Sequence, residues 1–145
     1  MEIYLKDLSN QIKKAQSIAS GVKLPGTFVK RPAKVLFCGM GGSAISGDIL
    51  GTIAQSRSRI HWTVNRTARL PQWVDSKTIV ILSSYSGNTH EVESIFQQAV
   101  ARKAHFLLVA SGGRLAEEAF RRKIPFLRLP QGYPPRFAIG YGTFA

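Results

Sequence analysis

Thr78-Ile79-Val80-Ile81-Leu82-Ser83-Ser84-Tyr85-Ser86-Gly87-Asn88-Thr89 is the stretch on which the fold turns. Its first half is a continuous aliphatic and β-branched run. A strand with one wet face would alternate polar and apolar residues, so this run indicates burial on both faces, as in a parallel sheet covered by helices. Its second half switches to hydroxyls and a glycine, and residues 89–103 then have helical composition. Strand, polar turn and helix in that order are the repeating unit of a doubly wound α/β domain.

The unit recurs on both sides. Residues 34–38, Lys-Val-Leu-Phe-Cys, run straight into Gly39-Met40-Gly41-Gly42-Ser43-Ala44, and residues 43–54 read as a helix. Further strands are expected over 60–64, 105–110 and 125–129, with a helix over 114–123. The link between Val64 and Lys77, which holds Pro71, is too short and irregular for a full helix. Near the N-terminus Leu5, Leu8, Ile12, Ala15 and Ala19 recur at helical spacing with Lys6, Lys13 and Lys14 opposite, and Gly21, Pro25, Gly26 and Pro32 end that helix. The expected architecture is a three-layer α/β domain with a doubly wound, five-stranded parallel sheet of flavodoxin-like type. Residues 1–32 form a helix and connecting loop packed on a domain of residues 33–145.

Twenty Lys and Arg against eight Asp and Glu give the 145 residues a formal charge of +12, yet 44% of the chain is hydrophobic. That balance describes a folded domain rather than a basic tail. No apolar run approaches the ~20 residues that cross a bilayer, the opening residues lack a signal-peptide block, and the single Cys38 cannot form an intrachain bridge. A soluble, cytoplasmic protein is expected, with no membrane partner, no metal site and no cofactor. The basic residues fall in 1–34, 54–78 and 102–145, while windows 35–53 and 79–101 hold none. Specific nucleic-acid binding would place Lys and Arg on the working surface, so the excess charge is read as a peripheral coat.

The two uncharged windows hold the two unusual strand-to-helix junctions. In doubly wound sheets ligands bind at the carboxyl ends of strands, where strand order reverses. Glycines at 39, 41 and 42 let main-chain amides approach an anion, and the helix start adds partial positive charge. At the second junction Ser84, Ser86 and Thr89 offer rotating O–H donors beside another helix start. Together they suit a phosphate without any Lys. Two other readings compete. Ser43 and Asn88 or Thr89 would serve as ordinary N-caps, with Glu91 completing a capping box. Gly39-x-Gly41-x-x-Ala44 also fits a dinucleotide fingerprint, and Arg66 near the end of the second strand would accept a 2′-phosphate, so an NADP-binding Rossmann fragment stays open.

Gly39-Met40-Gly41-Gly42-Ser43-Ala44, Ser84-Tyr85-Ser86-Gly87-Asn88-Thr89 and the late Pro134-Pro135-Arg136 with Gly140 resemble the N-terminal half of the bifunctional phosphoglucose/phosphomannose isomerase family, which is built from sugar isomerase (SIS) domains. The resemblance implies that Gly41, Gly42, Ser43, Ser84, Ser86 and Thr89 contact the phosphate of a hexose 6-phosphate, and that Arg136 reaches the reacting carbons. His90 departs from the Glu common there, and Phe137 and Ile139 replace other apolar residues. Family members run to about twice this length, so a second SIS half is missing. The abrupt apolar end at Tyr141-Gly142-Thr143-Phe144-Ala145 reads as a helix cut short, and association with a second half or a homodimer is expected.

The implied reaction converts glucose 6-phosphate or mannose 6-phosphate to fructose 6-phosphate, moving a proton between C1 and C2 through an enediolate. It needs a base, a cation for the developing oxyanion and a ring-opening acid. Arg136 suits the oxyanion role. No base is evident: Glu91 and Glu93 sit in a first helical turn, and Glu117 and Glu118 lie on a basic amphipathic helix. In the family the base and a ring-opening His come from the second half. A non-catalytic sugar-phosphate-binding module is therefore the alternative for these residues alone. His90 reads as an exposed first-turn residue, His61 and His105 as packing residues, Cys38 as an inert buried thiol, Trp62 and Trp73 as packing anchors, and Arg114 as a second candidate phosphate contact.

Overall fold

The structure, a computed structural model, describes residues 7–29 and 34–145. Leu5, Lys6 and Pro32, on which parts of the N-terminal helix and loop expectation rest, lie outside the described residues. Helices α1 (Leu8–Gly21) and α2 (Gly26–Val29) precede β1 (Lys34–Cys38), α3 (Gly41–Arg57), β2 (His61–Asn65) and β3 (Thr78–Ser83). Then come α4 (His90–Ala101), β4 (His105–Ala110), α5 (Gly113–Arg122), β5 (Phe126–Arg128), a 3₁₀ turn (Pro135–Phe137) and α6 (Ile139–Phe144). The five strands form one sheet in the order β2-β1-β3-β4-β5, and every pair is parallel. This is the three-layer, doubly wound architecture the sequence predicts.

Alternation along the strands sorts the core into two layers. Leu36, Cys38, Val80, Leu82, Leu108 and Ala110 face α4 and α5, where Val92, Ile95, Phe96, Leu115 and Ala119 complete one buried cluster. Val109 and Leu127 point the other way, onto Ala15 of α1 and Tyr141 of α6. Phe37 also takes that second face, beneath α3. There the helix lies so close that a Cβ at Gly47 would come within 2.4 Å of the Phe37 ring, and one at Gly51 within 2.5 Å of Trp62. Phe37 and Trp62 stack at 6.0 Å, and the Trp62 indole donates to the Gly47 carbonyl at 2.9 Å.

The link from β2 to β3 holds no helix, as expected, because α4 supplies the partners its backbone needs. Gln98 Oε1 accepts the Leu70 N–H at 3.0 Å, and Arg102 donates to the Pro71 carbonyl at 2.6 Å. Buried Leu70 and Val74 join the α4-side core. Asp75 then accepts from the Lys77 N–H and the Thr78 hydroxyl, both at 2.9 Å, and turns the chain into β3.

Gly47→Ala gains helix propensity of about 1 kcal/mol but overpacks the Phe37 ring at a cost of about 1–3 kcal/mol. Urea unfolding is expected to show a net loss of up to about 2 kcal/mol for this variant.

Candidate functional site

The strand order reverses between β1 and β3, which pair directly: Cys38 lies opposite Leu82. After β1 the chain leaves for the α3 face, and after β3 it leaves for the α4 face. Their two turns therefore open side by side at one rim of the sheet, which brings the two sequence-predicted junctions together.

At the first turn Gly41 takes φ +51°, a left-handed conformation that favours glycine, and α3 starts there. The helix start precedes Ser43, whose N–H bonds the Met40 carbonyl at 3.1 Å. No side chain caps α3, so Ser43 is a first-turn residue rather than an N-cap, and the amides of Gly41 and Gly42 are left without helical acceptors. A Cβ at Gly42 would stand 3.3 Å from the Pro135 carbonyl and 3.5 Å from Arg136 Cα, so the Pro135–Phe137 turn lies against this helix start. The third sequence motif thus joins the first. The Arg136 side chain is exposed, with its guanidinium over the Phe137 ring at 5.3 Å.

The second turn is held from behind by main-chain contacts to the loop after β4. Gly87, at φ +74°, packs so tightly that a Cβ would meet the Gly112 carbonyl oxygen at 1.8 Å. Leu115 N–H bonds the Gly87 carbonyl at 3.1 Å, and Asn88 Oδ1 accepts the Arg114 N–H at 2.9 Å. Asn88 thereby serves the start of α5, and no capping box with Glu91 forms. Inside the turn, Ser84 is 2% exposed. Its hydroxyl accepts the Gly87 N–H at 3.1 Å and shares a 2.6 Å bond with the Thr89 hydroxyl. Thr89 occupies the N-cap position of α4 without bonding its amides, which leaves the leading N–H groups of that helix open. Ser86 is exposed, its Oγ accepting the Asn88 N–H at 3.3 Å.

Gly42 and Ser43 face Ser83 and Tyr85 across a cleft of about 10 Å³, lined also by Pro135 and Ala138. A void of that size barely admits one water, and the segment leading into α6 lines it. Sequence reasoning missed Tyr85 as a pillar of the 84–89 turn. Its hydroxyl donates to the Pro130 carbonyl at 2.7 Å and accepts the Tyr133 N–H at 3.0 Å, and its carbonyl accepts from Ser111. A phenol between two serines at a strand end was the available signal.

The remaining residues fall into place around the rim. Cys38 is fully buried, and burial pushes its thiol up to about 12, opposed in part by a hydrogen bond with Asn65. His90 is exposed in the first turn of α4; His61 packs edge-on against Trp73, and His105 lies 6.3 Å from the Phe28 ring. Arg66, the cation an NADP site would use, is paired with Asp48 of α3. Arg114 pairs with Glu93 at 3.2 Å, and Glu118 is held ionised below the usual carboxylate range by Arg122 and Arg121. Among the described residues no three His, Cys, Asp or Glu side chains come together as a metal group, and no helix is long and apolar enough to cross a membrane.

The fold is a parallel α/β one that solved sugar-phosphate isomerases share. The tagatose-6-phosphate ketose/aldose isomerase of Escherichia coli superposes on 97% of the chain with a TM-score of 0.68 at 16% identity, the chain matching 42% of that protein. By sequence the chain is similar to bifunctional phosphoglucose/phosphomannose isomerases. The one from Caldicellulosiruptor bescii is 40% identical over 135 residues, which is 93% of this chain and 40% of that protein. A D-glucosamine-6-phosphate 4-epimerase of Sulfolobus acidocaldarius is 36% identical over 119 residues, 81% of this chain and 37% of its own length. The chain thus spans about 40% of the length of the curated relatives it matches. No family model matches it.

Gly87→Ala would force a side chain into both a left-handed backbone and the Gly112 carbonyl. A loss of about 2–4 kcal/mol in thermal or urea unfolding is expected, the largest of any glycine-to-alanine change at the rim. Cys38 is expected to resist alkylation by iodoacetamide at about pH 8 in the native protein and to react once urea unfolds it.

Proposed function

We propose that the chain binds a hexose 6-phosphate and acts as the N-terminal SIS half of a phosphoglucose/phosphomannose isomerase, interconverting glucose 6-phosphate or mannose 6-phosphate with fructose 6-phosphate. The observation that carries this reading is the convergence, at one sheet rim without any Lys, of open helix-start amides and small hydroxyl side chains. Gly41, Gly42 and Ser43 supply the first helix start, and exposed Ser86 and half-buried Thr89 the hydroxyl donors of the second. Ser84 shapes the turn from within and orients the Thr89 hydroxyl. Homology to the bifunctional isomerases supports the substrate class.

In this reading Arg136 approaches the sugar end. Its permanently charged, forked donors stabilise the oxyanion that forms as the C2 proton leaves. The resemblance to the bifunctional isomerases assigns the base and the ring-opening acid to a second half, and in this chain Glu93 and Glu118 are held in ion pairs. Residues 34–145 then correspond to the SIS domain, with α1 packed on α6. Ile45, Ile49 and Ile53, spaced one turn apart on α3 and 38–47% exposed, suit a covering second half or a dimer partner. A single buried thiol and a phosphorylated metabolite suit the cytoplasm.

Titration with fructose 6-phosphate, inorganic phosphate and NADPH tests the reading. Fructose 6-phosphate is expected to bind, with about tenfold weaker affinity in Ser86→Ala. Preference for NADPH together with indifference to Ser86→Ala would contradict it.

A further inference from the structure

Helix α1 reaches across nearly the whole chain to the segment that carries Arg136. Gln11, 1% exposed, donates from Nε2 to the Phe137 carbonyl at 2.9 Å. One turn earlier, Asp7 accepts the Tyr133 hydroxyl at 2.6 Å. Both pairs are separated by 126 residues, so positions i and i+4 at one helix end hold positions 133 and 137, which flank Arg136. The contact is close: a Cβ at Gly140 would come within 2.8 Å of Gln11 Cβ and Oε1. The Arg136 guanidinium rests on the ring of Phe137, the same residue whose carbonyl Gln11 holds.

From Tyr133 the connection continues into the phosphate turn. The Tyr133 N–H donates to the Tyr85 hydroxyl at 3.0 Å, and Tyr85 stands between Ser84 and Ser86. Burying a glutamine amide among apolar groups is costly, and an aliphatic side chain would pack there without that cost. The Gln11 Oε1 atom is buried with no protein partner. What the residue contributes at this position is its one N–H bond to the Arg136 segment.

We propose that Asp7 and Gln11 are positioning residues for the site, bracing the 133–137 segment so that Arg136 and the 84–89 turn grip the two ends of one hexose 6-phosphate at a fixed spacing. The inference rests on the hexose-phosphate reading given above. Inorganic phosphate needs only the turn, whereas fructose 6-phosphate needs the turn and Arg136 together. The bracing therefore shows itself as selectivity between the two ligands.

Calorimetric titration of the full chain with both ligands, for wild type, Gln11→Met, Arg136→Ala and the double variant, tests this. Gln11→Met is expected to weaken fructose 6-phosphate about five- to tenfold and inorganic phosphate less than about twofold. In the Arg136→Ala background it is expected to add less than about twofold, because both changes remove the same contact. Equal weakening of both ligands, full additivity, or no change in Gln11→Met would overturn the proposal. If Gln11→Met fails to fold, Asp7→Asn at the helix end takes its place: a selective loss for fructose 6-phosphate supports the bracing, and unchanged selectivity overturns it. Wild type that binds neither ligand would overturn the hexose-phosphate reading itself, whereas binding with an additive cycle overturns the bracing alone.

Discussion

β1 is hydrogen-bonded to β2 on one side and β3 on the other, and that double pairing organises everything at the rim. Because β1 connects to β2 in one direction across the sheet and β3 to β4 in the other, right-handed crossovers send the chain after β1 and after β3 to opposite faces. Two helix starts then point toward one crevice from opposite layers. Each brings unpaired amides and the positive end of its dipole, so the rim carries partial positive charge although these windows hold no Lys or Arg.

Opening such a crevice is half of the problem; its walls must also be rigid. The 84–89 turn owes its shape to main-chain contacts with the loop after β4, where Gly87 against Gly112 leaves no space for a side chain. Asn88 spends its carbonyl on α5 and Ser84 spends its hydroxyl inside the turn. Those commitments free Ser86, Thr89 and the α4 amides for a ligand. On the other wall the Pro135–Phe137 turn lies against Gly42 and is tied down by α1, so that wall depends on a helix whose sequence carries no site motif.

The parts legible in the sequence are those with local causes. β1, β3 and β4 match the expected spans to the residue because each is a buried apolar run bounded by a charge, glycine or hydroxyl. The edge strands differ: β2 begins one residue later than expected and β5 is two residues shorter. Each has a single neighbour and one exposed end residue, His61 or Arg128, so the hydrophobic pattern defines its ends less sharply. The capping expectation for Ser43 and Asn88 failed for a different reason. The N-cap rule reads only the following few residues, whereas Asn88 serves a helix 26 positions away and α3 starts at Gly41 ahead of Ser43. The links from Asp7 and Gln11 to positions 133 and 137 span 126 residues, and no local pattern encodes them.

The central claim is that the turns after β1 and β3 act as a single anion-binding unit. Following amide chemical shifts of the ¹⁵N-labelled chain during addition of fructose 6-phosphate tests it most directly. The account predicts that residues 41–43 and 84–90 shift together, along one curve with one Kd. Shifts confined to one of the two turns, or centred instead on the groove beside Phe120 and Phe126 at the far side of α5, would contradict it.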